Sequence, residues 1–205
     1  MKMKTRHISV WTAVTVAILS LSGTAQGGGR GDGDGDGDGG GRGGLCSKAT
    51  LKGPYGFIGH GEILGLLDST NTLHPFTSPL IYDDVALVTF DGSGGFTRTD
   101  VGNINGVPKA GSTTFNPHQT GTYTVNSDCT GTMSVRYITG GPVAAGVETD
   151  LNIVITSDGT QIESVVYRAS VPTASSTPDY SCPMNCVQGV QEHFEGKKVL
   201  VYGFR

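Results

Sequence analysis

The sequence VETDLNIVI, residues 147–155, decides the fold class, because polar and apolar side chains alternate along it. One face of this segment in an extended conformation would carry the odd-numbered positions, including Leu151 and Ile153. The other face would begin with Glu148 and Asp150. A period of two predicts a β-strand with one buried and one solvated face.

Seven further segments are rich in Val, Ile, Thr, Tyr and Phe and are separated by turn residues. The eight predicted strands are Pro54–Leu64, Tyr82–Phe90, Phe96–Asn105, Gly121–Asn126, Thr132–Thr139, Val147–Thr156, Thr160–Val171 and Glu192–Phe204. Half-buried strands with mostly short connections favour an antiparallel sheet. We therefore predict an all-β chain that forms a single closed or nearly closed barrel of about eight strands. A two-sheet β-sandwich is the alternative.

The connections fall into two classes. Those after the second, fourth and sixth strands are short and consist largely of Asp, Ser and Gly, whereas those after the odd-numbered strands are long. In an up-and-down barrel the long connections would gather at one open end. The first of them, Gly65–Ile81, is unusually apolar, and we expect it to act as a lid over that end or as a plug that completes the core. Its predicted ligand-binding residues are Leu66, Leu67, Leu73 and Phe76.

The N-terminus predicts export. Three basic residues precede an apolar run, and small residues before position 26 suit cleavage by signal peptidase, so residues 1–25 are a predicted signal peptide. Residues 26–44 are a predicted Gly/Asp-rich flexible linker, and residues 45–205 a predicted barrel domain. The apolar run is shorter than a membrane span, so we expect no stable membrane anchor after cleavage and a secreted or periplasmic protein.

Charge and cysteine content limit the partners. The leader holds three of the 14 Lys and Arg residues and none of the 18 acidic ones, so the cleaved chain has a formal net charge of −7. An acidic protein repels phosphate backbones, and we expect no nucleic-acid partner. The four cysteines of an exported chain predict two disulfides. The assignment of loops to barrel ends favours Cys46 with Cys129 and Cys182 with Cys186.

Candidate catalytic side chains are His60, Glu62, Tyr137 and His193. His60 and Glu62 are two positions apart and would point the same way on a strand, and we expect His60 and His193 to lie near the open end. An imidazole and a carboxyl together could serve as an acid–base pair. The His-x-Glu pattern lacks the second histidine of a cupin-type site, so we expect no metal and no cofactor.

Three sequence segments carry a family resemblance: GPYGF (53–57), FDGSGGF (90–96) and TGTYTVNSDCTGT (120–132). Together they resemble a group of exported bacterial proteins without an assigned activity, and more distantly the allene oxide cyclase-like and dirigent-like barrels of the calycin type. The resemblance covers residues 46–132, and later residues only by strand count. It implies a barrel that often holds an apolar ligand and, in some members, guides cyclisation. No residue here matches a catalytic set of the cyclases.

These observations favour a non-catalytic exported barrel that binds a small apolar molecule at its long-loop end. One alternative is a cyclase or isomerase that acts on an apolar substrate. A second is a structural or surface-interaction module. An eight-stranded barrel is just wide enough to be filled by side chains or to hold one small ligand, so the three hypotheses predict different interiors.

Overall fold

The computed structural model describes residues 45–200, so the predicted signal peptide, the predicted linker and residues 201–205 lie outside the described residues. Eight long strands account for most of the described chain. They are β1 (Lys52–Leu67), β2 (Leu73–Asp91), β3 (Gly95–Ile104), β4 (Asn116–Val125), β5 (Thr130–Tyr137), β6 (Glu148–Thr156), β7 (Gln161–Val171) and β8 (Cys186–Lys198). Short 3₁₀ turns cover Lys48–Thr50, Lys109–Gly111 and Ser157–Gly159.

The sheet closes into a barrel. Each strand pairs antiparallel with the next one along the chain, and β8 pairs with β1, for example His193 with His60. An additional short strand, Val107–Pro108, pairs with the end of β3. The predicted eight-stranded antiparallel barrel is confirmed, and the two-sheet sandwich is excluded because the hydrogen-bonded sheet has no free edge along these eight strands.

The two ends of the barrel differ as predicted. Residues 92–94, 126–129 and 157–160 make tight connections at one end, which we call the sealed end. Residues 105–115, 138–147 and 172–185 make long connections at the other end, which we call the mouth. The up-and-down strand order places these classes at opposite ends, since every second connection returns to the same side.

The first connection is not the apolar loop expected over residues 65–81. Strands β1 and β2 continue beyond the barrel wall as a hairpin, and only the turn at 68–72 joins them. The Asp68 carboxylate closes this turn by accepting hydrogen bonds from the backbone N–H groups of Thr70 and Thr72, at 2.8 and 2.9 Å. Residues 76–79 of β2 lie opposite Leu64 alone and form a four-residue bulge, which explains why strand alternation is lost there.

The sealed half of the barrel is filled by aromatic side chains. The Phe90 ring contacts Tyr55, Phe96 and Tyr123, with ring centroids 5.2, 5.5 and 5.1 Å away. The Tyr123 hydroxyl donates to the backbone carbonyl oxygen of Leu51 at 3.0 Å, so its polar end is satisfied. Edge-to-face aromatic packing of this kind leaves no room for a ligand at the sealed end.

Both disulfides pair as predicted. Cys46 bonds to Cys129 at the sealed end, with Cα atoms 5.0 Å apart, and Cys182 bonds to Cys186 at the mouth, with Cα atoms 5.7 Å apart. The first joins the segment before β1 to the β4–β5 turn, and the second closes a small loop before β8. Two disulfides are compatible with an extracellular or periplasmic protein.

Candidate ligand-binding site

Polar side chains occupy inward-facing positions in the middle of the barrel. On β2, Asp84 and Tyr82 continue the inward face to which Phe90 belongs, and on β3, Arg98 and Asp100 do the same. All four are buried. Because adjacent strands lie about 4.8 Å apart, side chains from β2 and β3 meet inside the barrel.

Two acidic and two basic side chains form a buried ion-pair network, which consists of Asp84, Arg98, Asp100 and Lys109. The Arg98 guanidinium lies 2.5 Å from Asp84 Oδ1 and 2.6 Å from Asp100 Oδ2. Lys109 Nζ, from the turn after β3, lies 2.6 Å from Asp84 Oδ2 and 2.5 Å from Asp100 Oδ2. The four charges cancel, which is the condition under which charged groups tolerate burial.

Neutral donors complete the network. The Tyr82 hydroxyl donates to Asp84 Oδ2 at 2.8 Å, and the Tyr137 hydroxyl donates to Asp100 Oδ2 at 2.5 Å. Lys109 uses its third N–H on the Tyr137 hydroxyl, at 2.9 Å. An ammonium has three donors, so Lys109 has none left for a ligand.

Burial and charge act in opposite directions on these groups. Burial disfavours the ionised form of Asp100, but Arg98 and Lys109 outweigh it and hold the pKa of that carboxyl below its usual range. Burial would also lower the pKa of Lys109, but the oxygens of Tyr82 and Asp84 outweigh it and raise that pKa. Burial raises the pKa of Tyr82, so its hydroxyl stays a proton donor. Asp84 differs, because burial raises its pKa although Arg98 and Lys109 act against this rise. At neutral pH Asp100 and Lys109 are therefore charged.

Glu192 on β8 stands apart from this network. Only 7% of the residue is exposed, its carboxyl oxygens are accessible from the mouth of the barrel, and within residues 45–200 the carboxyl has neither a hydrogen bond nor an ion pair. Burial, reinforced by the nearby Asp84 and partly offset by Lys109, raises the pKa of Glu192 to about 7. An unpaired carboxyl in such a position is a frequent mark of a functional site.

Glu192 faces a cavity of about 280 Å³ at the mouth of the barrel. Apolar side chains make up most of its wall: Ile63, Ile104, Ala110, Pro142, Val143, Ala144, Val147, Ala169, Val171 and Phe194. Its polar lining comes from Tyr82, Lys109, Tyr137, Thr149, Gln188 and Glu192. A smaller cavity of about 30 Å³ lies deeper and shares Tyr82, Tyr137, Thr149 and Phe194 with the first. The interior is therefore filled at the sealed end and open at the mouth.

Phe194 owes its position to a glycine on the neighbouring strand. A Cβ atom on Gly59, which is paired with Phe194 across β1 and β8, would lie 2.2 Å from the Phe194 ring. Only glycine allows this close approach. The ring consequently lies along the inner wall, where it lines both cavities.

No protein-family model, no curated protein and no solved structure matches this chain. Between residues 45 and 200, no helix is long and apolar enough to span a membrane. Over the same range, no group of three or more His, Cys, Asp or Glu side chains is arranged to hold a metal ion.

Of the four candidate catalytic residues, only Tyr137 faces the interior. His60, Glu62 and His193 are exposed on the outer wall, because glycines 59 and 61 occupy the inward positions of β1. His60 Nδ1 lies 2.7 Å from Asp83 Oδ1, and the ring centroids of His60 and His193 lie 6.2 Å apart in an edge-to-face arrangement. His60 is level with the mouth end of β3, since it pairs with Asp83 and Asp83 pairs with Asn103, but its side chain points away from the interior.

The four predicted ligand-binding residues lie in the hairpin and at its base, and none of them lines the mouth cavity. Leu66 is buried, Leu67 and Phe76 are half-buried, and Leu73 is exposed. A Cβ atom on Gly189 of β8 would lie 2.4 Å from Leu73, which shows that the hairpin packs against this strand. The apolar character of the segment serves this packing.

The residues that form the site were missed, although the sequence contains a signal for them. Asp84, Arg98 and Glu192 each stand two residues from an inward-facing apolar or aromatic side chain, in the same strand phase. A charged residue in the buried phase of a strand needs a partner or a function. The alternation of inward and outward positions along one strand does not reveal which charges pair, because those contacts are made between strands.

Replacing Glu192 with glutamine is expected to stabilise the protein at alkaline pH. The folded state retains a proton on Glu192 between its usual pKa of 4.5 and about 7, so stability falls as pH rises through this interval. The neutral amide removes this loss, so the free energy of unfolding above pH 8 should rise by about 3 kcal/mol, with little difference below pH 4. Urea unfolding at several pH values measures it.

The matched control is Glu62→Gln, which makes the same change on the exposed outer wall of β1. It should leave the pH dependence of unfolding unchanged. Equal effects of the two variants would show that Glu192 has no special environment.

Proposed function

We propose that this protein is an exported barrel that binds a small, largely apolar molecule with one polar group in the mouth cavity. The observation that carries the proposal is an apolar cavity of about 280 Å³ with an unpaired buried carboxyl in its wall. Small-molecule sites typically combine an apolar wall with a few placed polar groups, in volumes of roughly 300 Å³ upward.

The size of the cavity limits the ligand. At about 280 Å³ it lies at the lower end of the usual range, which suits a single ring with a short substituent better than a long lipid chain. The filled sealed end prevents a longer molecule from passing through the barrel. Most of the binding free energy would come from apolar contacts along the wall.

Glu192 would orient the ligand. The two tyrosine hydroxyls and Lys109 are already engaged within the network, so they serve as a fixed wall. Thr149 and Gln188 add neutral polar atoms. Glu192 is the one ionisable side chain lining the cavity that lacks a partner among the described residues, and its carboxyl would pair with the polar group of the ligand.

Export is part of the proposal. It is supported by the predicted signal peptide over residues 1–25 and by two disulfides, one of which closes a long stretch of chain. The resemblance of residues 46–132 to allene oxide cyclase-like barrels is in keeping with it, because barrels of that kind often hold an apolar ligand.

The two alternatives predict other properties. A cyclase or isomerase would also use Glu192, since a carboxyl with a pKa of about 7 can donate or accept a proton at neutral pH. A probe recovered unchanged after incubation favours binding over this alternative. A purely structural module has no use for an open cavity, which places it third.

Filling the cavity tests the proposal. Ala144, in the connection between β5 and β6, lines the cavity, whereas the adjacent Ala145 does not, although both residues are exposed. Ala144→Trp is expected to weaken binding of 2-phenylethanol, a neutral one-ring probe, at least about tenfold, because the indole would occupy the apolar space. NMR titration of the purified protein measures the dissociation constants.

Ala145→Trp is the matched control and should bind within about twofold of the native protein, since its side chain lies outside the cavity. Equal loss in both variants, or no loss in either, would contradict binding at the mouth.

A further inference from the structure

The charges around the mouth cavity are unequal when Glu192 is ionised. Three carboxyls, those of Asp84, Asp100 and Glu192, face two cations, Arg98 and Lys109. Both cations contact both aspartates, so their charges are already balanced. One negative charge at the cavity wall therefore lacks a counter-charge within the described chain.

We propose that the ligand is a small apolar molecule with a protonated amino group, whose ammonium pairs with Glu192. This inference rests on the proposed function and adds the chemical class of the polar group. The ammonium supplies the missing positive charge, and charge-assisted hydrogen bonds to a carboxylate are stronger than neutral ones.

A carboxylate ligand fits this cavity poorly. It would bring a second negative charge beside Glu192, and among the cavity-lining residues of the described chain no cation is free to meet it. All three donors of Lys109 are used by Asp84, Asp100 and the Tyr137 hydroxyl. Arg98 is 7% exposed and directs its guanidinium at the aspartates. Burying an uncompensated charge carries a large free-energy cost.

The apolar part of an amine also has a place to pack. Phe194 stands two residues from Glu192 on β8, so both side chains face the same side of the strand and line the cavity. Ala169 and Val171 on the adjacent strand β7 continue this apolar wall. A ring held against Phe194 would direct an ammonium on a short arm toward the carboxyl.

A series of probes with a common benzyl group tests the inference. These are 2-phenylethylamine, 2-phenylethanol and phenylacetate, which differ mainly in the charge of the polar group. At pH 8 the amine is expected to bind the native protein at least about tenfold tighter than the alcohol, and phenylacetate should bind most weakly. NMR titration or calorimetry with the purified protein measures all three.

Two further readouts identify Glu192 as the partner. Glu192→Gln should weaken amine binding at least about tenfold and change alcohol binding less than about twofold, whereas Glu62→Gln should change neither. Lowering the pH from 8 to 6 should weaken amine binding about tenfold, because only the ionised fraction of Glu192 would bind it. Tyr82, Tyr137 and Lys109, which also line the cavity, keep their charge over this interval because the pKa of each is raised. Asp84 on β2 also acts on Glu192; burial raises the pKa of Asp84, and Arg98 and Lys109 act against this rise.

The outcomes separate the two proposals. If the alcohol binds and the amine binds no tighter, or if Glu192→Gln leaves amine binding intact, the amine inference is overturned and ligand binding stands. If none of the three probes binds, both proposals are overturned. Selective loss of amine binding in Glu192→Gln supports both.

Discussion

Replacing Arg98 with methionine is expected to lower the free energy of unfolding by about 3 to 5 kcal/mol. Arg98 contacts Asp84 and Asp100 and also donates to Gln119, inside the barrel. Without it, two fully buried carboxylates share the single charge of Lys109. The cost reflects an uncompensated buried charge, which greatly exceeds the net value of an intact ion pair. Urea unfolding at pH 7, followed by circular dichroism, measures the change.

The surface provides the matched control. Arg136 pairs with Glu148 at 2.7 Å on the outer wall, and its side chain is 58% exposed. Arg136→Met should lower the free energy of unfolding by less than about 1 kcal/mol, because solvent screens exposed pairs.

Adding Asp84→Asn to Arg98→Met removes the excess negative charge and should restore at least about 1 kcal/mol of the free energy of unfolding. A similar loss of unfolding free energy in Arg98→Met and Arg136→Met would show that burial does not determine how much the Arg98 ion pairs contribute to stability.

Removing the Cys46–Cys129 disulfide by serine substitution at both positions is expected to lower the free energy of unfolding by about 4 to 5 kcal/mol. The two cysteines are 83 residues apart in sequence, so the bond restricts a large loop in the unfolded chain. It also fixes the segment before β1 to the sealed end. Chemical unfolding under non-reducing conditions measures the loss.

The second disulfide supplies the comparison. Cys182 and Cys186 are four residues apart, and the same chain-entropy argument gives about 2 kcal/mol for their removal. The test is the difference in unfolding free energy between the two double variants, because the loop lengths differ while the chemical change is the same. A larger loss from the Cys182–Cys186 pair would contradict the loop-entropy account for this barrel.

Much of the fold can be predicted from the sequence because its determinants are local. Alternation along β6 identifies a half-buried strand, and Asp-, Ser- and Gly-rich turns mark the sealed end. Strand order follows from short connections, and the positions of Cys46 and Cys129 relative to the strands then indicate their pairing. Each step uses neighbours in sequence or one simple rule of topology.

The hairpin formed by the ends of β1 and β2 could not be predicted, and the reason is local. Pro75 and Pro79 interrupt the alternation of β2, and proline in a strand normally argues against one. The structure accommodates Pro79 in the bulge opposite Leu64, where the ladder is already irregular. An apolar segment with two prolines therefore has the pattern of a loop although it forms paired strands.

The site could be predicted only in part. Strand phase places Asp84 and Arg98 inside the barrel, so their burial was readable from the sequence. Their pairing was not, since Lys109 reaches the network from an irregular connection whose path no periodicity describes. His60 and Glu62 point outward because the buried positions of β1 alternate with theirs and are occupied there by Gly59 and Gly61, and a glycine gives no sequence signal of an inward face.

The up-and-down path also fixes where the domain begins and ends. Cys46 is held beside the β4–β5 turn, and β8 runs back to the sealed end, where the backbone N–H of Val199 donates to the Pro54 carbonyl oxygen at 2.9 Å. Both ends of the described chain thus lie at the sealed end, opposite the opening, although the first is beside the β4–β5 turn and the last beside β1. A domain immobilised or fused through either of these ends would keep the cavity accessible.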